Sequence, residues 1–427
     1  MTSQTDRTFM IATAAEEVSS STPAVHAAPA RPRLGGKRAG MVVFSQYPFD
    51  PRPRRAIDAL LKEGMAIDLI CEGADGFPHR ELHGSLDVTR IPIRHFRGGV
   101  LSYAYEYSVF ILASSAILAW RMFRRKYDLI YVHNMPDILV ACGLLPKIFG
   151  ARIILDQHDP MPELMQTIFN KGENSLPVRI LRWLEKWSIA LADQVITVNV
   201  ACKRIFSHRS CKSEKIGVVM NAPDEAIFPY RPANTYAPRD PNAPIRIMYH
   251  GSLVERNGLG LAIDAVALLQ KTLPSAELRV FGKNSPYLEE MLARAKKLGL
   301  ESKVHYLGPR TLEKLAEEIE ACDVGVIPNP LNTFTEINTP TRIFEYLALG
   351  KPVIAPTTLG IRDYFEPNTL FFFSPGDAQD LADAIVKVAS NPKQAIQVAE
   401  LGQAVYRAHT WQQERETLVN LVLRALA

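Results

Sequence analysis

Short apolar runs alternate with longer amphipathic stretches along most of this chain of 427 residues. The runs are rich in Val, Ile and Leu, which is typical of strands buried on both faces of a parallel sheet. The longer stretches, such as 54–63 and 178–191, repeat their apolar residues at helical spacing. The alternation therefore predicts the α/β class, with helices on both sides of each sheet. The strands predicted in the first half are MVVFSQ from Met41, AIDLICEG from Ala66, VTRIPIR from Val88, DLIYVHN from Asp128, RIILDQHD from Arg152, QVITVN from Gln194 and GVVMN from Gly217.

The alternation stops at residues 229–244, where five of sixteen residues are proline. Proline fixes φ and removes a backbone donor, so we predict an interdomain linker there. Six further strands are predicted after it, beginning at Ile245, Glu277, Val304, Val324, Pro352 and Leu370, with apolar helices from Leu259 and Leu381. We therefore predict two doubly wound, Rossmann-like domains, 38–228 and 245–407, facing a shared cleft, with a final helix (408–427) that crosses back to the first domain.

Composition limits the classes of protein that fit this pattern. Residues 1–37 are rich in Ala, Ser, Thr, Pro and Arg and predict a disordered tail without the apolar centre of a secretory signal. The net charge of +4 is too small to indicate a nucleic-acid partner. The five cysteines are scattered and never form a C-x-x-C pair, which favours reduced thiols and a cytoplasmic location.

The second predicted domain begins with a strand, a glycine-containing loop and a helix, YHGSLVERNGLGL. Gly251 and Gly258 permit close backbone approach, and the helix N-terminus together with Arg256 could bind a diphosphate. An ordinary strand-to-helix turn with a solvated arginine is the alternative.

A second helix start lies in NTPTRIFEYLALGKPVIA. Thr339 is expected to cap this helix, with Pro340 in its first turn and Gly350 just beyond its end. Thr341 and Glu345 are four residues apart and would share a face near the N-terminus, where a carboxylate can accept both ribose hydroxyls. The alternative is that Glu345 only pairs with Arg342.

These segments, with the FGK and YLGP turns, resemble the donor domain of family 4 glycosyltransferases of GT-B fold. The resemblance implies a nucleotide-sugar donor, held by the residues Gly251, Ser252, Arg256, Asn257, Gly282, Lys283, Thr339, Thr341, Arg342 and Glu345. Two positions depart from the family pattern. Asn257 stands where a lysine is usual, and Ile337 stands where the first glutamate of the Glu-x7-Glu motif belongs, with Glu336 one residue earlier.

The first half resembles the same family, through FSQYPFDPRPRRAIDALLKEGMAIDLIC, VHNMPD and ILDQHDPMPEL. In place of the usual Gly-Gly after the first strand, the sequence offers Asp50, Arg52 and Arg55 as polar groups for an acceptor.

Polar residues also end the two central strands of the first half. We expect His158 to act at the transferring sugar and Asp159 to orient it, with Asp156 as a rival acid–base group. His133, at the end of the preceding strand, is a further acceptor-side candidate, together with Asp137.

The resemblance implies retaining transfer of a sugar to a glycan or lipid-linked acceptor, with cationic side chains in place of a metal. No cofactor is expected. Two other functions use the same cleft, a nucleotide-sugar 2-epimerase and a non-catalytic nucleotide-sugar-binding subunit of a polysaccharide assembly complex.

One stretch, Val100 to Trp120, approaches membrane-spanning length, and Arg121, Arg124, Arg125 and Lys126 follow it. Glu106 lies inside the stretch, so we expect a helix packed on the sheet. The second interpretation is peripheral docking of 100–126 on the inner face of the plasma membrane.

Overall fold

The computed structural model describes residues 32–93, 100–235 and 243–427, which form two α/β domains. The strands of the first domain are β1 Arg38–Gln46, β2 Ala66–Glu72, β3 Arg80–His83, β4 Leu86–Ile91, β5 Leu129–His133, β6 Arg152–Gln157, β7 Gln194–Thr197 and β8 Ile216–Val218. Its helices are α1 Pro51–Lys62, α2 Val100–Met122, α3 Leu144–Ile148, α4 Met161–Phe169, α5 Leu176–Leu191 and α6 Val200–Arg209, with 3₁₀ turns at Asp137–Gly143 and Ser213–Lys215.

The strands of the second domain are β9 Ile245–His250, β10 Ala276–Phe281, β11 Val304–Tyr306, β12 Val324–Val326, β13 Val353–Pro356 and β14 Phe371–Phe373. The helices that follow the first domain are α7 Leu259–Thr272, α8 Pro286–Lys297, α9 Leu312–Glu320, α10 Thr341–Ala348, α11 Leu359–Arg362, α12 Ala378–Ser390, α13 Pro392–Ala408 and α14 Trp411–Leu426, with 3₁₀ turns at Ala233–Thr235 and Glu255–Asn257.

Both sheets have the doubly wound topology that the sequence predicts. The first runs in the order β3-β4-β2-β1-β5-β6-β7-β8 and the second in the order β11-β10-β9-β12-β13-β14. Every pair is parallel except β3 with β4, which is antiparallel. The sequence analysis missed β3, because its residues RELH are largely exposed and contain no apolar run.

Each sheet is buried on both faces. In β1, Met41 packs on one side with residues of α1 and α14, while Val42 packs on the other with residues of α2 and α5. The second sheet is covered by α7, α8 and α12 on one face and by α9 and α10 on the other. The carboxyl ends of the parallel strands therefore remain as the open edges where ligands of such folds bind.

The prediction that the last helix crosses back is confirmed. Leu418, Val419 and Val422 of α14 are buried in the same cluster as Met41 of β1. Gly217 in β8 leaves room for this helix, since a Cβ there would stand 2.4 Å from the Leu421 side chain. The final helix is thus part of the first domain's core.

The domain boundaries shift from those predicted. Residues 1–31 of the predicted tail lie outside the described residues, but Leu34 is buried in the first core and Arg33 pairs with Glu63 and Glu416. The chain enters the second domain's core at Met220 and Phe228, before the predicted linker. Of that linker, 236–242 lie outside the described residues.

Among the described helices, none is long and apolar enough to cross a membrane. Helix α2 packs on the first sheet through Phe110 and Leu118. Two of the basic residues predicted to face a membrane are engaged within the protein instead. Arg121 is buried and donates to Thr89 Oγ1, and Arg125 pairs with Asp68 and Asp87. Of the four, Arg124 and Lys126 are exposed.

Candidate active site

The first domain's half of the site is organised around a buried carboxylate. Asp156, near the end of β6, accepts from Arg52 Nη2 at 2.6 Å and from Tyr131 Oη at 2.9 Å. Burial raises the pKa of this carboxyl, but the Arg52 guanidinium and the two nearby histidines together more than offset burial and hold the pKa at about 2. Asp156 is therefore ionised and enclosed, a poor position for the acid–base role considered for it.

His133 and His158 stand together at the ends of β5 and β6. His133 Nδ1 is 3.0 Å from His158 Nε2 and 3.5 Å from Asp156 Oδ2. Burial lowers the pKa of His133 to about 4 and that of His158 well below its usual value, so both rings are neutral at pH 7. We assign the shared proton to His133 Nδ1, because the Asp156 carboxylate favours a donor there. His158 then accepts at Nε2 and carries its own proton on Nδ1.

The two histidines differ in how far their side chains are exposed to solvent. The His158 side chain is 18% exposed, whereas that of His133 is fully buried. His158 is therefore the ring that can reach a substrate, and His133 supports it from behind. Asp159 was expected to orient His158, but among the described hydrogen bonds it is His133 that contacts the ring.

Asp159 faces the second domain. Burial raises the pKa of its carboxyl, and the nearby positive charge of Arg256 opposes that rise. The end of β6 therefore lies within electrostatic range of the first loop of the second domain. The loops that the sequence assigned to the acceptor and the donor are thus near each other.

The residues proposed for the acceptor at the start of α1 have internal partners. Asp50 caps α1 by accepting from the Arg52 backbone N at 3.2 Å. Besides Asp156, Arg52 donates to Val219 O at 2.9 Å, and Arg55 donates to Ala222 O and to Asn221 Oδ1. The two arginines tie α1 to the segment that crosses between domains, a role that the sequence did not indicate.

The donor-side loops depend on two glycines. A Cβ at Gly258, where φ is +73°, would stand 1.8 Å from Pro328 O. A Cβ at Gly282 would stand 2.3 Å from Gly251 O. Asn257, in the lysine position of the family, donates to Ser252 O at 2.8 Å and so stabilises the loop itself. Ser252 and Lys283 are exposed beside it.

Helix α10 starts one residue later than predicted, at Thr341. Thr339 is not its cap, because its hydroxyl donates to Gly360 O at 2.6 Å and accepts from Asn199 Nδ2 at 3.1 Å. The backbone of Pro340 precedes the first helical residue, Thr341. Gly350 follows the helix end with a φ of +69°, as predicted.

Thr341, Arg342 and Glu345 form the partly exposed face of α10, as the spacing predicted. The ion pair between Arg342 and Glu345 is not among the described ion pairs. Arg342 instead donates to His250 O at 2.8 Å and to Asn329 Oδ1 at 3.2 Å, which anchors α10 to the end of β9.

Glu345 lies beside a histidine that the sequence analysis missed. Its Oε2 is 3.3 Å from His250 Nε2, and burial raises the Glu345 pKa to about 7. Burial also lowers the His250 pKa well below its usual value, so His250 is neutral, and the positive charges of Arg342 and Arg55 only partly oppose the rise of the Glu345 pKa. The signal that could have found His250 is its place at the end of β9, equivalent to that of His133 on β5.

The position of the family's first glutamate has a different role here. Ile337 is buried against the apolar cluster of the first domain, and its carbonyl accepts from Asn199 Nδ2 at 2.8 Å. Glu336, one residue earlier, is partly exposed, and no hydrogen bond or ion pair of its carboxylate is found within the described ranges. The substitution converts a polar position into a contact between domains.

Comparison with known proteins identifies the family. Residues 54–226 match the family model "Glycosyltransferase Family 4", and residues 244–391 match "Glycosyl transferases group 1". The chain is a family 4 glycosyltransferase of GT-B fold.

Two curated relatives and one solved structure illustrate the similarity. The amylovoran biosynthesis glycosyltransferase AmsK of Erwinia amylovora is 26% identical over 47% of this chain and 49% of its own. The D-inositol 3-phosphate glycosyltransferase of Corynebacterium urealyticum is 24% identical over 93% of both chains. The structure of Anabaena HepE in complex with UDP covers 91% of this chain and 100% of its own, with a TM-score of 0.66 and 16% identity.

The chain is therefore a nucleotide-sugar-dependent transferase, and the comparisons do not favour an epimerase or a non-catalytic subunit.

Among the residues that the structure describes, this glycosyltransferase has one cluster of possible metal ligands, which the sequence analysis did not predict. Ligand atoms of His133, Asp156 and His158 lie within 4.8 Å of one another. Both Asp156 oxygens already accept hydrogen bonds, from Arg52 and Tyr131, and the two histidines bond to each other. Arg52 thus supplies the positive charge beside this carboxylate.

The glycosyltransferase should lose stability when Arg52 is replaced by alanine. Asp156 would then be a buried charge without its partner, which costs about 3–5 kcal/mol at pH 7. The Asp156 pKa is depressed, so its contribution is complete above the unfolded value near 4 and is lost as the pH falls towards 2. The deficit measured by urea unfolding should therefore shrink in acid.

Arg54→Ala is the control, because Arg54 lies on the same helix and no hydrogen bond or ion pair of its side chain is found among the described residues. If Arg52→Ala keeps full stability and raises only the KM for the acceptor, the internal role is wrong and Arg52 contacts the acceptor.

Proposed function

We propose that this enzyme transfers a sugar, with retention of configuration, from a nucleoside diphosphate donor to a hydroxyl of a glycan or lipid-linked acceptor. The observation that carries the proposal is the hydrogen bonding of Asn199, just after β7, to Ile337 O and Thr339 Oγ1, just before α10, which brings the carboxyl edge of the first sheet beside the start of α10. A donor diphosphate beside Arg256 would place its sugar against the end of β6, where His158 is partly exposed.

The donor half would bind the nucleotide through α10 and the loop after β9. Glu345 on α10 would accept hydrogen bonds from the two ribose hydroxyls. Arg256 and the free backbone N–H groups at the start of α10 would offset the diphosphate charge. HepE, which shares the fold, was crystallised with UDP, and this supports a UDP-sugar as the first donor to test.

The chemistry needs little from an acid or base of the protein. The bond between the sugar carbon and the diphosphate oxygen breaks as the acceptor oxygen bonds to that carbon on the same face. The leaving diphosphate can take the acceptor proton. His158 would donate its Nδ1 proton as a hydrogen bond to a substrate oxygen, and Arg256 would stabilise the charge that develops on the diphosphate.

A polysaccharide precursor is the acceptor that we propose, by analogy with AmsK, which is named for amylovoran biosynthesis. Such precursors can be lipid-linked. We therefore propose that the enzyme works at the inner face of the plasma membrane, with the region of α2 in contact with lipid.

The reaction is proposed to need no metal, because Arg52 already neutralises the carboxylate of the His133, Asp156 and His158 cluster. Enzyme dialysed against EDTA should transfer sugar at an unchanged rate, and added Zn²⁺ or Mg²⁺ should not raise it. Loss of activity that is restored by one of these ions would contradict the proposal and direct attention to the cluster.

Glu345→Gln should weaken donor binding by roughly 1–3 kcal/mol, because hydrogen bonds to a charged group are lost. Burial raises the Glu345 pKa to about 7, so the carboxylate form becomes dominant only above that pH. Affinity of the parent for UDP-glucose should therefore rise between pH 6 and 8, an interval chosen as about one unit either side of this pKa. Calorimetry should show a flat pH profile for the variant.

Glu313→Gln, at an exposed position in α9, is the matched control and should behave as the parent does. Equal affinity and equal pH dependence of Glu345→Gln and the parent would remove Glu345 from the donor site.

His158→Ala should leave donor affinity nearly intact and lower the transfer rate at saturating donor by about 10²–10⁴-fold. His208→Ala, which removes an exposed histidine of α6, is the control. Rate per folded molecule and melting temperature should be measured on one preparation. A lower melting temperature with a normal rate would make His158 a core residue.

A further inference from the structure

We propose that one face of the first domain, built from α2, α3 and α5, docks on an anionic lipid bilayer. This inference rests on the proposed function, in which the acceptor is lipid-linked. The three helices lie side by side, because the 3₁₀ turn Asp137–Gly143 packs against each of them. We call their outward surface the α2–α3–α5 face.

Large apolar side chains project from all three helices. Phe123 directly after α2 is 90% exposed, Ile148 of α3 is 78% exposed and Trp183 of α5 is 64% exposed. Phe149 and Trp120 are also mainly exposed. Clusters of this size on a protein surface usually mark an interaction site.

A groove of about 250 Å³ opens where the end of α2 meets α3. Phe123, Leu145, Pro146 and Phe149 contribute apolar walls, and Arg125 and Lys126 lie at the same groove. Because Arg125 already pairs with Asp68 and Asp87, the exposed Lys126 is the cation that an anionic lipid headgroup in this apolar groove would meet.

The acidic and the basic side chains of these helices point in opposite directions. Their acidic residues point inward: Glu106 of α2 is buried, and Glu185 of α5 is fully buried and paired with Arg209. The outward charges are basic. Arg124, Lys126, Arg179 and Lys186 are exposed, and no ion pair of theirs is found among the described residues.

The separation of inward acidic from outward basic side chains indicates an anionic bilayer as the partner of this face. An anionic bilayer attracts the basic residues over a broad area, while aromatic side chains such as Trp183 and Phe123 enter the headgroup region. The face also extends beyond the single segment 100–126 of the sequence analysis, since α3 and α5 supply much of its apolar area.

The test is co-sedimentation of the full chain with vesicles of phosphatidylcholine, alone or mixed with phosphatidylglycerol. The parent should bind the mixed vesicles and be released by salt, because exposed charge attraction is screened. Arg124→Glu with Lys126→Glu should lower the affinity by roughly tenfold or more. Phe123→Ser with Phe149→Ser should lower it as well, at any salt concentration.

The matched control is Lys297→Glu with Leu298→Ser, an exposed basic and apolar pair at the end of α8 in the second domain. It should bind vesicles as the parent does. Melting temperature and UDP-glucose affinity should be unchanged in every variant, which shows that fold and donor site remain.

Absence of binding to mixed vesicles, or equal binding by the parent and both face variants, overturns the proposal. Binding of the face to an acidic protein without any binding to vesicles also overturns it. Failure of the proposed function is distinguishable, because a chain that binds vesicles but neither binds nor uses a nucleotide sugar refutes that function alone.

Discussion

A carboxylate buried in an α/β domain needs a cation, and here Asp156 has Arg52. This ion pair also fixes the positions of several neighbouring groups. Arg52 comes from α1, and its remaining donors hold Val219 and Asn221, where the chain leaves the first domain. Asp156 also fixes Tyr131 and favours one tautomer of His133, and His133 in turn holds His158. The orientation of the proposed catalytic ring therefore depends on a buried ion pair behind it.

The contact between the domains depends on a residue that departs from the family pattern. Ile337 inserts into the first domain's apolar cluster, and Asn199 binds both its carbonyl and the Thr339 hydroxyl. Further bonds join Arg204 to Asp363 and the Val200 N–H to Tyr364 Oη, so α6 is held along the second domain. A glutamate at 337 would be buried among apolar residues at a large desolvation cost. Isoleucine at position 337 therefore suits the contact that this segment makes with the first domain.

The sequence predicted the fold well, because buried strands and amphipathic helices each follow from local periodicity. It predicted that His158 stands at the end of a strand, which the structure confirms, while the catalytic role of His158 stays a prediction. It could not predict that Arg52, Arg55 and Arg342 are occupied by internal acceptors such as His250 O, because those partners lie far away in sequence. The cap of α10 was misplaced for the same reason, since Thr339 has a distant partner in Gly360.

Helix α2 shows why hydrophobicity alone does not distinguish a membrane span from a core helix. The first sheet places β4 and β5 on opposite sides of β2 and β1, so the connection between β4 and β5 must pass over the sheet. A helix of 23 residues, about 35 Å long, makes that passage and buries Phe110 and Leu118 on the way. The crossover therefore explains the apolar residues on the side of α2 that faces the sheet. The exposed Trp120, which stacks with Arg124, and Phe123 lie at the far end, beyond what the crossover needs, and the proposed lipid contact would give both an apolar partner.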